Sequence, residues 1–313
     1  MTGERVLIVG GTGLLGTALC YQFASRGYEV AYTYRRSPLP VDNLGLDAIS
    51  LDVMDPGSLQ QIDPLRPSWI FHTPSLKNVD YCETHPLEAY DTNVTGTQNV
   101  ARVASRLGCR FFYIGTNDIF SGDRGPFSEE DAPAPLNVYA RTKLEAEARV
   151  RKIVPDHLIV RTTFHGLHYN PENSFSMRII SSLRQGKVVH MATDQVSSII
   201  STLDLTDALE RLVRIGASGT LHVACRNALS RYRFATSLAN VFGLDSRLVQ
   251  KTTYDQVFAE LGLRATRSLK ATLAVGKAEA VLKRRLPTIR ESLIHMRRTA
   301  AAFTTKMGIP YGI

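Results

Sequence analysis

The stretch "ERVLIVGGTGLLG", residues 4–16, decides the fold. Val6 to Val9 form an apolar run, glycines stand at 10, 11, 13 and 16, and Leu14 and Leu15 follow. That composition suits a buried parallel strand passing through a tight turn into a helix. In such a turn Gly10 permits the bend, Gly13 lets backbone approach a pyrophosphate, and Gly16 allows the first helix to pack on the strand. The helix's N-terminal amides then face the phosphates. Glycines also join strands to helices for steric reasons alone, so a dinucleotide site is an expectation that the rest of the chain has to support.

Outward from this turn the pattern alternates. Helices are expected at about 14–25, 86–107 (stopping at Gly108) and 138–151, and strands at about 29–34, 48–51, 69–72, 110–116 and 157–163. This order implies an α/β fold, a Rossmann-type doubly wound parallel sheet. Interruptions after the sixth strand imply a smaller, mostly helical substrate domain built from C-terminal segments. Residues 1–164 and 187–226 are assigned to the nucleotide-binding domain, and 165–186 and 227–313 to the substrate domain. A helix over 202–213 is expected to be capped by Thr202. Near the C-terminus Pro287 occupies a first-turn position, and Ile289, Leu293, Met296 and Ala300 form one apolar stripe for packing on a neighbouring domain or subunit.

Composition narrows the class. The 313 residues are 44% hydrophobic and 21% charged, ordinary values for a soluble globular protein. No leader pattern and no apolar run of membrane-spanning length is found, so no integral membrane segment is expected and the cytoplasm is the expected location. Cys20, Cys82, Cys109 and Cys225 lie far apart and suggest neither a metal knuckle nor a redox pair. Of the net charge of +8, residues 261–313 carry +9, from eleven basic residues against Glu279 and Glu291, which leaves the first 260 residues at −1. An anionic substrate or acidic partner suits that edge; nucleic acid is not expected, because no recognised reading module accompanies it. His165, His168 and Glu172 are too loosely spaced to define a metal site, and no metal is expected.

The groups suited to chemistry fall at strand ends. Arg35 and Arg36 follow the second strand, where an NAD site usually has an acidic residue and an NADP site has basic groups for the extra phosphate. Asp52 is expected beside the adenine end, and the loop after His72 faces the cofactor crevice. Thr116 ends the fifth strand; Tyr139 and Lys143 follow one helical turn apart on one face. A lysine ammonium beside a tyrosine helps match the phenol to proton transfer with a carbonyl or alcohol.

These features, with "NVDYCETHPLEAYDTNVTGTQNVA" (78–101), "YIGTNDIFSG" (113–122), "PFSEEDAPAPLNVYARTKLEAE" (126–147), "IVRTTFHG" (159–166) and "TDQVSSIISTLDLTDAL" (193–209), resemble extended short-chain dehydrogenase/reductases. The similarity is to the branch of dTDP-4-dehydrorhamnose reductases and related sugar-nucleotide reductases, and extends to about Val249. It implies NADPH-dependent reduction of a keto-sugar, a 4-keto nucleotide-diphosphate sugar, with Thr116, Tyr139 and Lys143 catalytic. The implied NADP(H) set is Gly10, Thr12, Gly13, Leu14, Leu15, Gly16, Arg35, Arg36, Asp52, Val53, His72 and Thr73, together with Tyr139 and Lys143. The implied substrate set is Lys77, Asn117, Asp118, Phe164 and His165, with His168 and Tyr169 following in the same loop. Asn93 is expected to support the site, and the partners implied are a nucleotide-sugar or related anion and a homodimer. Where rhamnose-forming members show Ser-Thr-Asp-Tyr, this chain has Gly115-Thr116-Asn117-Asp118. That departure leaves two alternatives: a non-catalytic NADP-binding regulatory subunit similar to the beta subunit of methionine adenosyltransferase, or a nucleotide-sugar epimerase.

Overall fold

A computed structural model describes residues 4–41 and 44–307. Seven parallel strands form the central sheet. Six are β1 (Arg5–Val9), β2 (Glu29–Tyr34), β3 (Asp47–Ser50), β4 (Trp69–His72), β5 (Arg110–Ile114) and β6 (His157–Arg161), and the last is the edge strand Gly219–His222. Their spatial order is edge strand, β6, β5, β4, β1, β2, β3. The order reverses between β1 and β4, which opens a crevice at their carboxyl ends.

The apolar runs are explained by burial on both faces. Val6 and Ile8 of β1, with Phe112 and Ile114 of β5, pack into one layer with α1 (Leu14–Ser25) and the helix Thr202–Arg214. Leu7 and Val9, with Phe111 and Tyr113, pack into the opposite layer under the helices Gly96–Leu107 and Val138–Ile153. A parallel sheet covered on both faces needs this near-continuous hydrophobicity rather than alternation.

Beyond β6 the chain builds a second layer of small elements. Val189–Ala192 pairs with Val249–Thr252, and Val196–Ser197 with Leu229–Ser230. Residues 189–197, expected to belong to the nucleotide-binding domain, are therefore hydrogen-bonded to the later segment, and the chain rejoins the large domain near Ile200. The helix Ile289–Lys306 buries the expected stripe of Ile289, Leu293, Met296 and Ala300. It packs on the helix Arg231–Phe242 and on Ile200–Ser201 of the same chain.

Two expected helix starts differ by one residue. Thr288, not the Pro287 turn, starts the last helix, in a capping box with Glu291; Ser201, not Thr202, accepts from the Asp204 N–H. In both cases the true cap is the hydroxyl placed three residues before a free amide, which a proline cannot supply. The expected helix over 86–107 is divided by a π-turn, Asp91–Thr95, which turns Asn93 inward. Among the described residues, no helix is long and apolar enough to cross a membrane.

Candidate functional site

The crevice floor is the glycine turn. Gly10 has φ +79°, and a Cβ there would meet Thr73 and Pro74. Gly16 is needed for packing, since its Cβ would lie 2.2 Å from the Gly10 carbonyl oxygen. Gly11, not singled out from the sequence, is equally constrained: its Cβ would fall 2.6 Å from Cβ of Tyr32. Gly13 is exposed and begins α1 with no side chain capping it. The first amides of α1, at Leu14 and Leu15, thus lack a side-chain acceptor, the condition under which a helix start takes a phosphate. The donor set fits a dinucleotide pyrophosphate. Thr73 closes the turn from β4, donating to the carbonyls of Val9 at 2.8 Å and Gly10 at 3.1 Å.

At the end of β2, Arg35 and Arg36 are exposed and form no ion pair among the described residues. Asp52 and Val53 are part-buried across β2 and β3; Asp52 accepts from the Met54 N–H, and Val53 packs where a Cβ on Gly96 would strike it. His72 behaves differently from its expectation. Its side chain is buried beneath Gly96–Leu107, where Nε2 donates to the Thr97 hydroxyl at 3.0 Å, that hydroxyl being spent as a donor on the Asn93 carbonyl. Burial holds the ring pKa down at about 3, so it is a neutral structural group.

The proton-transfer set gathers on the other side. Asn137 caps the helix Val138–Ile153 through the Ala140 N–H, which places half-buried Tyr139 and buried Lys143 one turn apart beside the end of β5. Lys143 Nζ donates to the Ile114 carbonyl at 2.8 Å and lies 4.3 Å from the centre of the Tyr113 ring. Burial draws its pKa down to about 7, opposed by the negative Glu147 one turn further on. Burial, and then the charge of Asp118, push the Tyr139 phenol above its ordinary pKa, while hydrogen bonds with Thr116 and Ser75 act the other way. The phenol is therefore held protonated, next to two hydroxyls. Thr116 accepts from the Asp118 N–H at 3.2 Å, which leaves its own proton free to donate.

Asn93 supports this set as expected. Its side chain accepts from Leu76 N–H and the Ser75 hydroxyl, and donates to the Thr142 hydroxyl at 3.0 Å, tying the loop after β4 to the helix Val138–Ile153. Asn117 has a structural bond instead of an open face: its amide donates to the Ala271 carbonyl at 2.9 Å. His165 is wholly buried against Phe234, with neither ring nitrogen bonded, and its pKa is held at about 3 by burial. His168 faces the Thr12 carbonyl, so the histidines of this loop do not converge, and among the described residues no His, Cys, Asp and Glu cluster is arranged for a metal.

Sequence reading named Lys77 and counted Arg267 in the basic C-terminal segment, but gave no role to Arg178 and Arg231. Arg178, Arg231 and Arg267 come from three segments of the small domain and act on Lys77 or Asp118 from the large one. Burial raises the Asp118 pKa against the pull of Arg231 and Arg267. Burial lowers the Arg231 pKa, and Arg267 and Arg178 lower it further by like-charge repulsion. Lys77 is exposed, yet partial burial of its amine and then Arg178 lower its pKa. Arg231 and Arg267 thus act on the Asp118 carboxylate, and Arg178 on Lys77 and Arg231, which gathers positive charge at this edge. No local pattern announces them, because they are 36 to 190 residues apart only along the chain and meet through the fold.

Fold and site together define the extended short-chain dehydrogenase/reductase class, whose NAD(P)-dependent oxidoreductase character they support. The chain belongs to the RmlD substrate binding domain family, whose profile matches residues 4–301. It is 28% identical to a "Probable low-salt glycan biosynthesis reductase" of Haloferax volcanii, over 91% of this chain and 95% of that one. It is 28% identical to dTDP-4-dehydrorhamnose reductase of Mycobacterium tuberculosis, over 92% and 98%. Similarity also reaches methionine adenosyltransferase 2 subunit beta of Bos taurus, at 26% over 80% and 75%. Among solved structures, dTDP-4-dehydrorhamnose reductase of Bacillus anthracis in complex with NADP superposes with a TM-score of 0.82 and 25% identity, covering 95% of this chain and 99% of that one. MoeE5 in complex with UDP-glucuronic acid and NAD gives 0.76 and 25%, covering 95% and 100%.

Proposed function

We propose that this protein is an NADPH-dependent reductase of a keto-sugar carried on a nucleoside diphosphate, with the ketone at C4. The observation that carries the reading is the placement of Tyr139 and buried Lys143 one turn apart beside Thr116 at the end of β5, with Lys143 Nζ held on the Ile114 carbonyl. Gly10, Thr12, Gly13, Leu14, Leu15 and Gly16 would seat the pyrophosphate, with Arg35 and Arg36 on the 2′-phosphate and Asp52, Val53 and Thr73 along the adenosine and central part. Bound NADPH supplies the hydride to the carbonyl carbon. Thr116 donates a hydrogen bond to the carbonyl oxygen and fixes its angle; Tyr139 transfers its proton to that oxygen, which completes the alcohol. Lys143 holds the nicotinamide ribose and supports the tyrosinate that remains. Lys77, Arg178 and Arg231 would receive the substrate diphosphate, and Asp118 the sugar hydroxyls. The division of labour follows the domains in part: the cofactor is seated by residues before about 164, and the sugar nucleotide is received by later segments together with Lys77, Thr116 and Asp118 of the large domain.

Tyr139→Phe tests this reading directly. NADPH affinity is expected to stay close to wild type while turnover of a 4-keto nucleotide sugar falls roughly 10²–10⁴-fold. Purified wild-type protein that neither binds NADP(H) nor reduces any such sugar would overturn it. A second reading, a regulatory subunit, draws on the Asn117–Ala271 bond, which spends a position beside Thr116 on anchoring the C-terminal segment. It predicts co-purification with an enzyme whose activity is indifferent to Tyr139→Phe.

A further inference from the structure

The loop that leaves β6 returns to the glycine turn. His168 Nε2 lies 3.0 Å from the Thr12 carbonyl oxygen, and the Tyr169 hydroxyl lies 3.3 Å from the same oxygen. A carbonyl only accepts, so both groups donate and the imidazole proton sits on Nε2. Nδ1 then accepts from the Asn170 N–H at 3.0 Å, which fixes the tautomer of a neutral ring whose pKa burial holds below its ordinary value. The ring is fully enclosed and its polar atoms are spent. His168 therefore touches the turn and not the sugar.

The peptide it holds is central to the cofactor seat. The N–H on the far side of that peptide, at Gly13, donates to the Gly10 carbonyl at 3.0 Å, and Thr73 donates to the same oxygen from β4. A carbonyl that accepts two hydrogen bonds polarises its peptide and strengthens the next bond in the chain. The turn is thus clamped by the large domain on one side and by the small-domain loop on the other.

The same loop leads to the cleft cations. Asn170 accepts from the Glu172 N–H, and the Glu172 carbonyl accepts from Arg178 Nη1 at 2.6 Å. Ser174 caps the helix Phe175–Arg184, and the Phe175 ring supports the Arg231 guanidinium at 4.5 Å. Ten residues, 169 to 178, therefore connect the carbonyl of the pyrophosphate turn to two of the arginines over the substrate cleft.

We infer that His168 and Tyr169 are positioning residues that hold the glycine turn and the Arg178–Arg231 pair in one geometry, so that cofactor and nucleotide-sugar binding each tighten the other. This rests on the proposed reading of the site. Such a coupling is reciprocal: whatever factor the second ligand adds to the first, the first adds to the second.

The probes are NADPH and thymidine 5′-diphosphate. NADPH affinity is measured by fluorescence titration with and without saturating diphosphate, and diphosphate affinity by calorimetry with and without NADP+. Wild type is expected to show the same ratio, about 10-fold, in both directions. Tyr169→Phe removes one oxygen and His168→Ala the ring; each is expected to bring the ratio toward one while diphosphate binding by itself persists. His168→Gln, whose amide nitrogen can replace Nε2–H, is expected to keep it. Should His168→Ala fail to fold, Tyr169→Phe still decides. A wild-type ratio of one, or an unchanged ratio in Tyr169→Phe and His168→Ala, overturns the inference while leaving the reductase reading intact. Failure of the wild type to bind NADPH under any condition instead removes the reading on which the inference stands.

Discussion

Lys143 donates its ammonium proton to the carbonyl oxygen of Ile114, two residues before Thr116, from a buried position on the helix Val138–Ile153. Burial is the larger influence on this lysine and lowers its pKa to about 7, while Glu147 opposes the shift. The charged form thus predominates below about pH 7 and the neutral form above it. On the proposed function the ammonium is the form that supports ribose binding and the tyrosinate, so kcat/KM for NADPH, which reports the free enzyme, is expected to fall as pH rises through about 7. Lys143→Arg, whose side chain stays charged, is expected to lower activity but to lose that limb. A wild-type profile flat from about pH 6 to about pH 9 would contradict the assignment.

Glu147 has no accessible side-chain surface and accepts from Arg161 Nη2 at 2.9 Å and Arg151 Nη2 at 2.8 Å. Arg161 is buried with it, so removing the carboxylate strands a guanidinium. Glu147→Ala is expected to cost about 3–5 kcal/mol and to lower the thermal midpoint by about 10 °C. Arg151 is 39% exposed, and Arg151→Ala is expected to cost less than about 1 kcal/mol. Equal losses from the two changes, measured by calorimetry, would show that burial of the pair does not set the cost.

The legible parts were those whose physics is local. The strand, turn and helix of residues 5–25 are written in adjacent residues, and Tyr139, Lys143 and the unnoticed Glu147 share one face because four residues make about one turn. The segment 263–275 has no period to detect. Most of its backbone bonds reach distant segments: Lys270 N–H donates to the Gly122 carbonyl, Thr272 accepts from Phe127 N–H and Leu269 accepts from Val196 N–H, and it forms no helix or sheet ladder of its own. Asn117 looked like a substrate contact for the same reason: its partner, Ala271, is far away in sequence. His72 was placed at the right strand end, but strand alternation turns its side chain under the helix layer.

On the proposed reading, Arg35 and Arg36 are expected to separate NADP(H) from NAD(H). They are exposed at the end of β2, and Tyr32 from the same strand fixes the following loop by accepting from the Leu39 N–H at 2.9 Å. A hydrogen bond to a charged phosphate contributes about 1.5–3 kcal/mol. The double change Arg35→Ala, Arg36→Ala is therefore expected to weaken NADPH binding by roughly 10²-fold or more and to leave NADH binding nearly unchanged. Equal weakening of both cofactors in direct titration would mean that these arginines act on the turn, not on the 2′-phosphate.

Asp80 anchors the extended segment to the large domain. Its carboxylate accepts from the Arg264 N–H at 2.8 Å and the Ala265 N–H at 3.1 Å, and it pairs with the Arg267 guanidinium. Arg267 is also one of the cations acting on Asp118, so the anchor and the cleft share a residue. Asp80→Ala removes three charge-assisted bonds from a stretch that has no helix or sheet ladder of its own. Local opening of that stretch is expected to become about 10- to 100-fold more frequent, with global unfolding little changed. Trypsin should then cut after Arg264 and Arg267 correspondingly faster, and KM for the sugar nucleotide should rise more than kcat falls. Unchanged cleavage at both arginines would show that the bonds of Lys270 and Thr272 hold the segment without Asp80.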